Sequence, residues 1–177
     1  VLQADKAHPM SGSNCICVVT ALLESGRVKM VEPETVVKLD TAAGLITARA
    51  HCRNGRCLSV SLDNVPAFVL QLDQAVKTPK WGTIRADIAF GGVFYALVDV
   101  QQIGLSIVPD NARALAEAGI EIKALLKEQV AVAHPEIEGL DEIAYVMFRD
   151  RDPDGAVRTC TTLKPASSTV NDSPVLA

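Results

Sequence analysis

A single helix near the start of the chain restricts what the rest of it can fold into. The polar cluster at residues 11–14 is typical of a helix start, and Gly26 is a natural stop. The run over 14–25 is apolar nearly all round, so we expect a central helix that is buried on most sides. Its β-branched residues lower its helix propensity, so this helix needs a jacket of sheet or helices around it.

Segments that alternate apolar and polar side chains can supply this jacket. The pattern predicts an antiparallel meander of four strands with one buried face, over 35–40, 44–52, 57–63 and 67–73. The pair Asn54-Gly55 is a strong signal for a two-residue hairpin turn, and it places Cys52 opposite Cys57. In a reducing compartment we expect two thiols there, and a cross-strand disulfide is the alternative.

The second half of the chain predicts two strand pairs with a helical segment between them. The strands are 83–90, 93–100, 142–148 and 156–163, and the helix is 109–135. We expect Asp110 to cap this helix, and Gly119 is a candidate break within it. Gly91-Gly92 indicates a bulge or bend, or a close approach of the backbone to another group. The order of elements predicts an α+β fold with mainly antiparallel strands.

Composition narrows the classes of function. The 177 residues carry a net charge of −4 with no basic stripe, which argues against a nucleic-acid partner. The apolar runs are shorter than the roughly 20 residues that cross a bilayer, and no apolar leader is visible, so we expect a cytoplasmic protein without a membrane partner. The histidines and cysteines lack zinc-site spacing and no nucleotide-binding glycine motif is present, so we expect no metal and no nucleotide cofactor.

The cluster at residues 11–14 has three interpretations. It is an ordinary helix cap, which any buried helix can carry. It is an anion site, because unpaired N–H groups and the helix dipole favour negative charge there. Or it presents a proton-transfer group, although the pKa of a serine is so high that the dipole alone cannot make Ser11 a base. Under the third interpretation Ser11 needs a partner.

Several segments resemble the proline racemase family. "PMSGSNCICVVTALLESG" (9–26) resembles its first active-site segment. "ADIAFGGVFYALVD" (86–99) and "NARALAEAGIEIK" (111–123) resemble later segments in the same order. The resemblance implies a diaminopimelate-epimerase-like fold, in which a buried central helix is wrapped by mainly antiparallel sheet. It also implies a first domain over 1–82 with the central helix 14–25, and a second over 83–177 without its own central helix.

The resemblance also implies a chemistry. Family members move the proton at the α-carbon of proline or a hydroxyproline without a cofactor, and the serine-type branch is expected to epimerise 3- or 4-hydroxyproline. Ser11 occupies the position of the first catalytic cysteine, and Gly12, Ser13 and Asn14 are implied to bind the substrate. Asp172 is a candidate contact for the substrate amine. No metal ligand is implied.

Departures from the family pattern leave alternatives open. Val175 stands where the family has its second catalytic cysteine, and the strands that precede the first segment in the family are not in this sequence, so we expect two incomplete domains. One alternative activity is a trans-3-hydroxy-L-proline dehydratase, because elimination needs an acid on one side only. The other is a non-catalytic remnant that binds a small carboxylate or forms a homodimer through an unpaired domain face.

Overall fold

The computed structural model describes residues 8–152 and 154–162. The elements in chain order are α1 (Gly12–Glu24), β1 (Glu34–Thr41), β2 (Gly44–Arg53), β3 (Arg56–Asp63), β4 (Phe68–Thr78), β5 (Gly82–Phe90), β6 (Phe94–Asp99), α2 (Ala112–Gln129), β7 (Ile143–Arg151) and β8 (Val157–Thr162). Neither described helix is long and apolar enough to cross a membrane.

The chain divides into two compact units. Of the described residues, the first unit holds those up to Ala67 together with Gly91–Val93, and the second holds Phe68–Phe90 and those from Phe94 onward. The units divide ahead of β4 because β4 pairs with β5 along its length, up to the pair Thr78–Gly82, and so belongs with the second unit. The expected domain boundary between residues 82 and 83 concerns the domains of the whole protein and stays a prediction.

The first unit is α1 packed on a three-stranded antiparallel sheet in the order β1-β2-β3. Val19 and Leu23 lie four residues apart, so they share one face of α1. They form a buried cluster with Ala48, Ala50 and Cys52 of β2. Burial alternates along β2, so one face of this sheet carries the helix and the other meets solvent, as the period of two predicts.

The expectation that this helix is buried on most sides is wrong for the described part of the chain. Ile16 is 39% exposed and Val18 is 48% exposed, although both are apolar. The reason is that the sheet contacts one face of α1, which holds Cys15, Val19 and Leu23. The apolar pattern around α1 is therefore wider than the surface that this sheet can cover.

The hairpin between β2 and β3 has the predicted turn and register. Asn54 and Gly55 both have positive φ, 53° and 70°, as a two-residue turn of this kind requires. Cys52 pairs directly with Cys57, which confirms the register. Both are free thiols, so this structure holds the first of the two alternatives. The Cys57 N–H donates to Glu24 Oε1 at 3.1 Å, which ties the hairpin to the end of α1.

The second unit is built on a five-stranded sheet in the order β4-β5-β6-β7-β8. The β6–β7 pair is parallel and the other pairs are antiparallel. The prediction that residues 67–73 complete the first meander is wrong, because β4 belongs to this second sheet. The first sheet ends after β3, where the Val65 N–H donates to Asn64 Oδ1 and Pro66 has no N–H to offer a ladder.

The helix α2 differs from its prediction at its start and its middle. Asp110 was expected to cap it but lies in a 3₁₀ turn, Pro109–Asn111, and Asn111 holds the cap position. The expected break at Gly119 is absent, since α2 runs through this residue from Ala112 to Gln129. Gly119 is buried because Thr162 of β8 fills the space that a Cβ would occupy. This glycine thus allows close helix–sheet packing.

Burial also changes the acidity of three groups in the second unit. Tyr95 and Tyr145 lie on β6 and β7 with ring centroids 5.5 Å apart. Burial raises the pKa of both phenols, and the nearby charge of Tyr95 raises the pKa of Tyr145 further. Burial likewise raises the pKa of the Cys160 thiol, so we expect this cysteine to react slowly.

We expect Gly119→Ala to destabilise the protein, although alanine is the better helix former. At an exposed helix position this change would add about 1 kcal/mol of stability. Here the new Cβ would overlap the side chain of Thr162, so we expect a net loss of about 1–3 kcal/mol from overpacking. Urea unfolding measures the difference. A gain in stability would contradict the close contact between α2 and β8.

Candidate functional site

The structure places residues 11–14 together at the start of α1. Ser11 precedes the first helical residue with an extended backbone, φ −149° and ψ 114°. Its carbonyl oxygen accepts the Cys15 N–H at 3.0 Å, which is the first bond of the helix. The backbone of Ser11 therefore has N-cap geometry, as the helix-cap interpretation predicts.

The Ser11 side chain does not act as a cap. It makes no hydrogen bond to the N–H groups of the first turn. Its Oγ instead accepts a hydrogen bond from Nδ2 of Asn14 at 2.9 Å and lies 3.4 Å from Oγ of Ser13. Because the first N–H groups of a helix have no partner within the helix, they are left to solvent or to a ligand.

The charge distribution along α1 favours an anion at this end. The first turn holds no acidic residue, and Glu24 at the far end is the charged residue of the helix. The positive end of the helix dipole is thus not offset by a neighbouring carboxylate on α1. Ser13 and Asn14 are exposed, and Ser11 and Gly12 are half-buried. This arrangement suits a carboxylate that approaches the helix from outside.

Packing does not explain the glycine at position 12. A Cβ there would lie 3.8 Å from Leu62 Cδ1 and 4.0 Å from Met10 Cε, which are ordinary contacts. The residue is helical, so its backbone does not need a glycine either. The lack of a side chain at position 12 does leave the backbone open to the approach of a ligand.

The double glycine lies beside this helix start. Gly92 has φ +102°, and a Cβ there would come within 3.2 Å of Met10 Cβ. Asn64 Nδ2 donates to the Gly91 carbonyl at 3.4 Å. Met10 is buried and directly precedes Ser11. Of the two interpretations of Gly91-Gly92, the structure shows a close approach, but to Met10.

Sequence reasoning missed the supporting roles of Met10 and Asn64. Asn64 lies between β3 and β4, where its side chain accepts the Val65 N–H at 2.9 Å. Its second bond, to Gly91, joins positions 27 residues apart in the chain, so no local signal could indicate it. Met10 carries no chemical signal, and its burial became visible only with the fold.

One predicted site residue cannot be placed. Asp172 lies outside the described residues, and so does Val175. The proposed contact of Asp172 with the substrate amine therefore stays a prediction. Among the residues that are described, no group of three His, Cys, Asp or Glu side chains is arranged to hold a metal ion.

Substitution of the two glycines separates their roles. We expect Gly92→Ala to lower the free energy of unfolding by about 1–3 kcal/mol, because a side chain at this positive φ is strained and would press on Met10. Gly91→Ala is the matched control, since a Cβ there meets nothing within 4 Å. Thermal or urea unfolding of both variants measures the difference. Equal stability of the two variants would contradict the contact with Met10.

Comparison with known proteins gives strong matches. The proline racemase family profile matches residues 1–175. The chain is 61% identical over 165 residues to a 4-hydroxyproline 2-epimerase of Allorhizobium ampelinum. It is 59% identical over 165 residues to 4-hydroxyproline 2-epimerase 1 of Rhizobium rhizogenes. Each alignment covers 93% of this chain and 48% of the relative, so the chain spans about half the length of the curated relatives it matches.

Solved structures agree with these matches. A probable proline racemase from Agrobacterium radiobacter, with bound carbonate, superposes with a TM-score of 0.87 at 60% identity. A hydroxyproline epimerase from Agrobacterium vitis, with bound trans-4-hydroxy-L-proline, superposes with a TM-score of 0.86 at 61% identity. Each match covers 93% of this chain and 48% of the solved chain. The predicted α+β, diaminopimelate-epimerase-like fold is thereby confirmed.

Proposed function

Because this chain belongs to the proline racemase family, we propose that it supplies the Ser11 side of an active site that epimerises 4-hydroxyproline at its α-carbon. The observation that carries the proposal is the start of α1, where the Ser11 hydroxyl is held by Asn14 and leaves the helix N–H groups uncapped. The names of the relatives and the trans-4-hydroxy-L-proline in one solved neighbour favour the 4-hydroxy substrate.

In this proposal the helix start binds the substrate carboxylate. The N–H groups of Gly12 and Ser13 donate to its oxygens, and the helix dipole adds to the attraction. Removal of the α-proton leaves an electron pair on the α-carbon that spreads onto the same carboxylate. Donors that face the carboxylate therefore stabilise the transition state more than the ground state.

Ser11 is the proposed proton-transfer group on one face of the α-carbon. When it acts as an acid, the hydroxyl proton moves to the α-carbon and Oγ becomes an alkoxide. In the reverse direction the alkoxide takes the α-proton. Inversion needs a second such group on the opposite face. The reaction moves a proton and no redox equivalent, so it calls for no redox cofactor.

The location and assembly of the protein are part of the proposal. A cytoplasmic location is supported by the cysteines, all five of which are free thiols. A homodimer is supported by the exposed apolar side chains of Ile16 and Val18 on α1. Sedimentation velocity of the purified chain would test the dimer, and a monomer at all concentrations would contradict it.

The central test follows the α-proton of trans-4-hydroxy-L-proline in deuterated water by NMR. We expect the protein to exchange this proton, and Ser11→Ala to slow the exchange by about 10²-fold or more, which is typical for loss of an acid–base group. Ser61→Ala is the control, because Ser61 is an exposed serine on β3. Survival of exchange in Ser11→Ala would contradict the role of Ser11.

The same assay separates the alternatives. Conversion of trans-4-hydroxy-L-proline to cis-4-hydroxy-D-proline indicates epimerisation, whereas exchange of the α-proton without a change of configuration indicates proton transfer on the Ser11 side only. Loss of the hydroxyl from trans-3-hydroxy-L-proline indicates the dehydratase. Absence of exchange with either hydroxyproline and with L-proline indicates a chain that is not catalytic by itself.

The role of Gly12 can be tested apart from stability. We expect Gly12→Ala to leave the free energy of unfolding within about 1 kcal/mol, because the added Cβ makes only ordinary contacts and alanine favours helix. We expect it to weaken binding of trans-4-hydroxy-L-proline, because the methyl group obstructs the approach to the backbone. An NMR titration measures the affinity. Unchanged binding would remove Gly12 from the carboxylate site.

A further inference from the structure

A serine that exchanges a proton with carbon has a problem of acidity. The pKa of a serine hydroxyl lies far above neutral pH, and a helix dipole shifts an ionisation by only a modest amount. Ser11 must therefore have a further partner if it acts as the proposed function requires. The partner must stabilise the alkoxide and hold Oγ in a fixed direction.

We propose that Asn14 is this partner, a positioning residue that holds the Ser11 hydroxyl, and that it does not itself bind the substrate. This inference rests on the proposed function of Ser11. Asn14 lies three residues after Ser11, so the first turn of α1 brings its side chain back over the Ser11 side chain. Nδ2 of Asn14 donates to Ser11 Oγ at 2.9 Å, which is an ordinary hydrogen-bond length.

This bond sets the direction of the hydroxyl proton. One lone pair of Oγ accepts the amide N–H, so the O–H of Ser11 points away from Asn14. Ser13 Oγ, at 3.4 Å, is too distant to hold the hydroxyl as firmly as Asn14 does. The O–H is therefore directed away from Asn14 and is available to a substrate carbon.

The same bond favours the ionised form of Ser11. A hydrogen bond to an anionic oxygen is shorter and stronger than a bond to a neutral hydroxyl. A donor that faces Oγ thus lowers the pKa of Ser11, and it adds to the effect of the helix N–H groups. Asn14 is suited to this task because its neutral amide donates to Oγ without forming a competing ion pair with a bound carboxylate.

The arrangement is not explained by helix stability. A serine in the position of Ser11 ordinarily bonds the backbone N–H groups of the first turn and stabilises the helix. Here Asn14 engages the oxygen and the capping bond is not made. A helix start that gives up a stabilising bond in favour of a side-chain pair is expected at functional sites.

A thiol at position 11 can report on Asn14 without any turnover. The variant Ser11→Cys, in a Cys17→Ser background that removes the exposed cysteine of α1, is alkylated with iodoacetamide at a series of pH values. Mass spectrometry with fragment ions follows the label at position 11. A thiol reacts as its thiolate, so the midpoint of the rate against pH reports its ionisation.

The comparison is made with Asn14→Leu, which has a similar size and no donor, and with Asn14→Ala, which favours helix. In both we expect a higher midpoint and about tenfold slower alkylation at pH 7, because a donor to the thiolate has been lost. Ser13→Ala is the matched control and is expected to change the rate much less. Circular dichroism confirms that each variant is folded. If Asn14→Leu does not fold, Asn14→Ala decides the test. Unchanged or faster alkylation without Asn14 overturns the proposal.

The α-proton exchange assay keeps this inference separate from the proposed function. If both hold, Asn14→Leu lowers the turnover of trans-4-hydroxy-L-proline and leaves its KM nearly unchanged, whereas a substrate-binding role would raise KM. If exchange depends on Ser11 but the pH midpoint of alkylation is the same with and without Asn14, the positioning role fails and the function stands. If the thiol responds to Asn14 but no substrate exchanges, the function of this chain fails and the hydrogen bond stands.

Discussion

The packing of α1 on β2 and β3 is the interaction on which the candidate site depends. Val19 and Leu23 bury their side chains against Ala48 and Ala50, whose small size lets the helix lie close to the sheet. The helix has poor intrinsic propensity, so this burial supplies most of the energy that keeps it formed. Because a helix is rigid, the contact that holds its middle also sets where its first turn points.

The start of α1 is supported from a second direction. Met10, which precedes Ser11, is buried against Gly92, and the neighbouring Gly91 is held in turn by a hydrogen bond from Asn64. A side chain that transfers protons must be held to within a fraction of an ångström. Under the proposed role of Ser11, the positive φ of Gly92 and the closeness of Met10 also serve to position the proton-transfer group.

The organisation of the strands shows how far local patterns reach. The sequence located each strand that the structure describes, although β4 continues to Thr78, past its predicted end at 73. Asn54-Gly55 specified the register that brings Cys52 opposite Cys57. The assignment of β4 to the first sheet was wrong because alternation says which face of a strand is buried and not which neighbour it pairs with. The burial of α1 was overestimated for a similar reason. An apolar side chain such as Val18 is suited to burial, but the local sequence does not say which element covers it, and in the described part of the chain Val18 is exposed.

The sequence by itself determined the helix start at residues 11–14, the hairpin register and the relation to the proline racemase family, because each is written in residues that are close together in the chain. Only the tertiary structure decided that Gly119 makes room for Thr162 and that Gly92 makes room for Met10, since these partners are distant in sequence and meet on folding. The structure also decided between two local bonds of Ser11, a cap or a contact with Asn14. Sequence could not settle that choice, because it depends on how each side chain turns once the helix has been placed on its sheet.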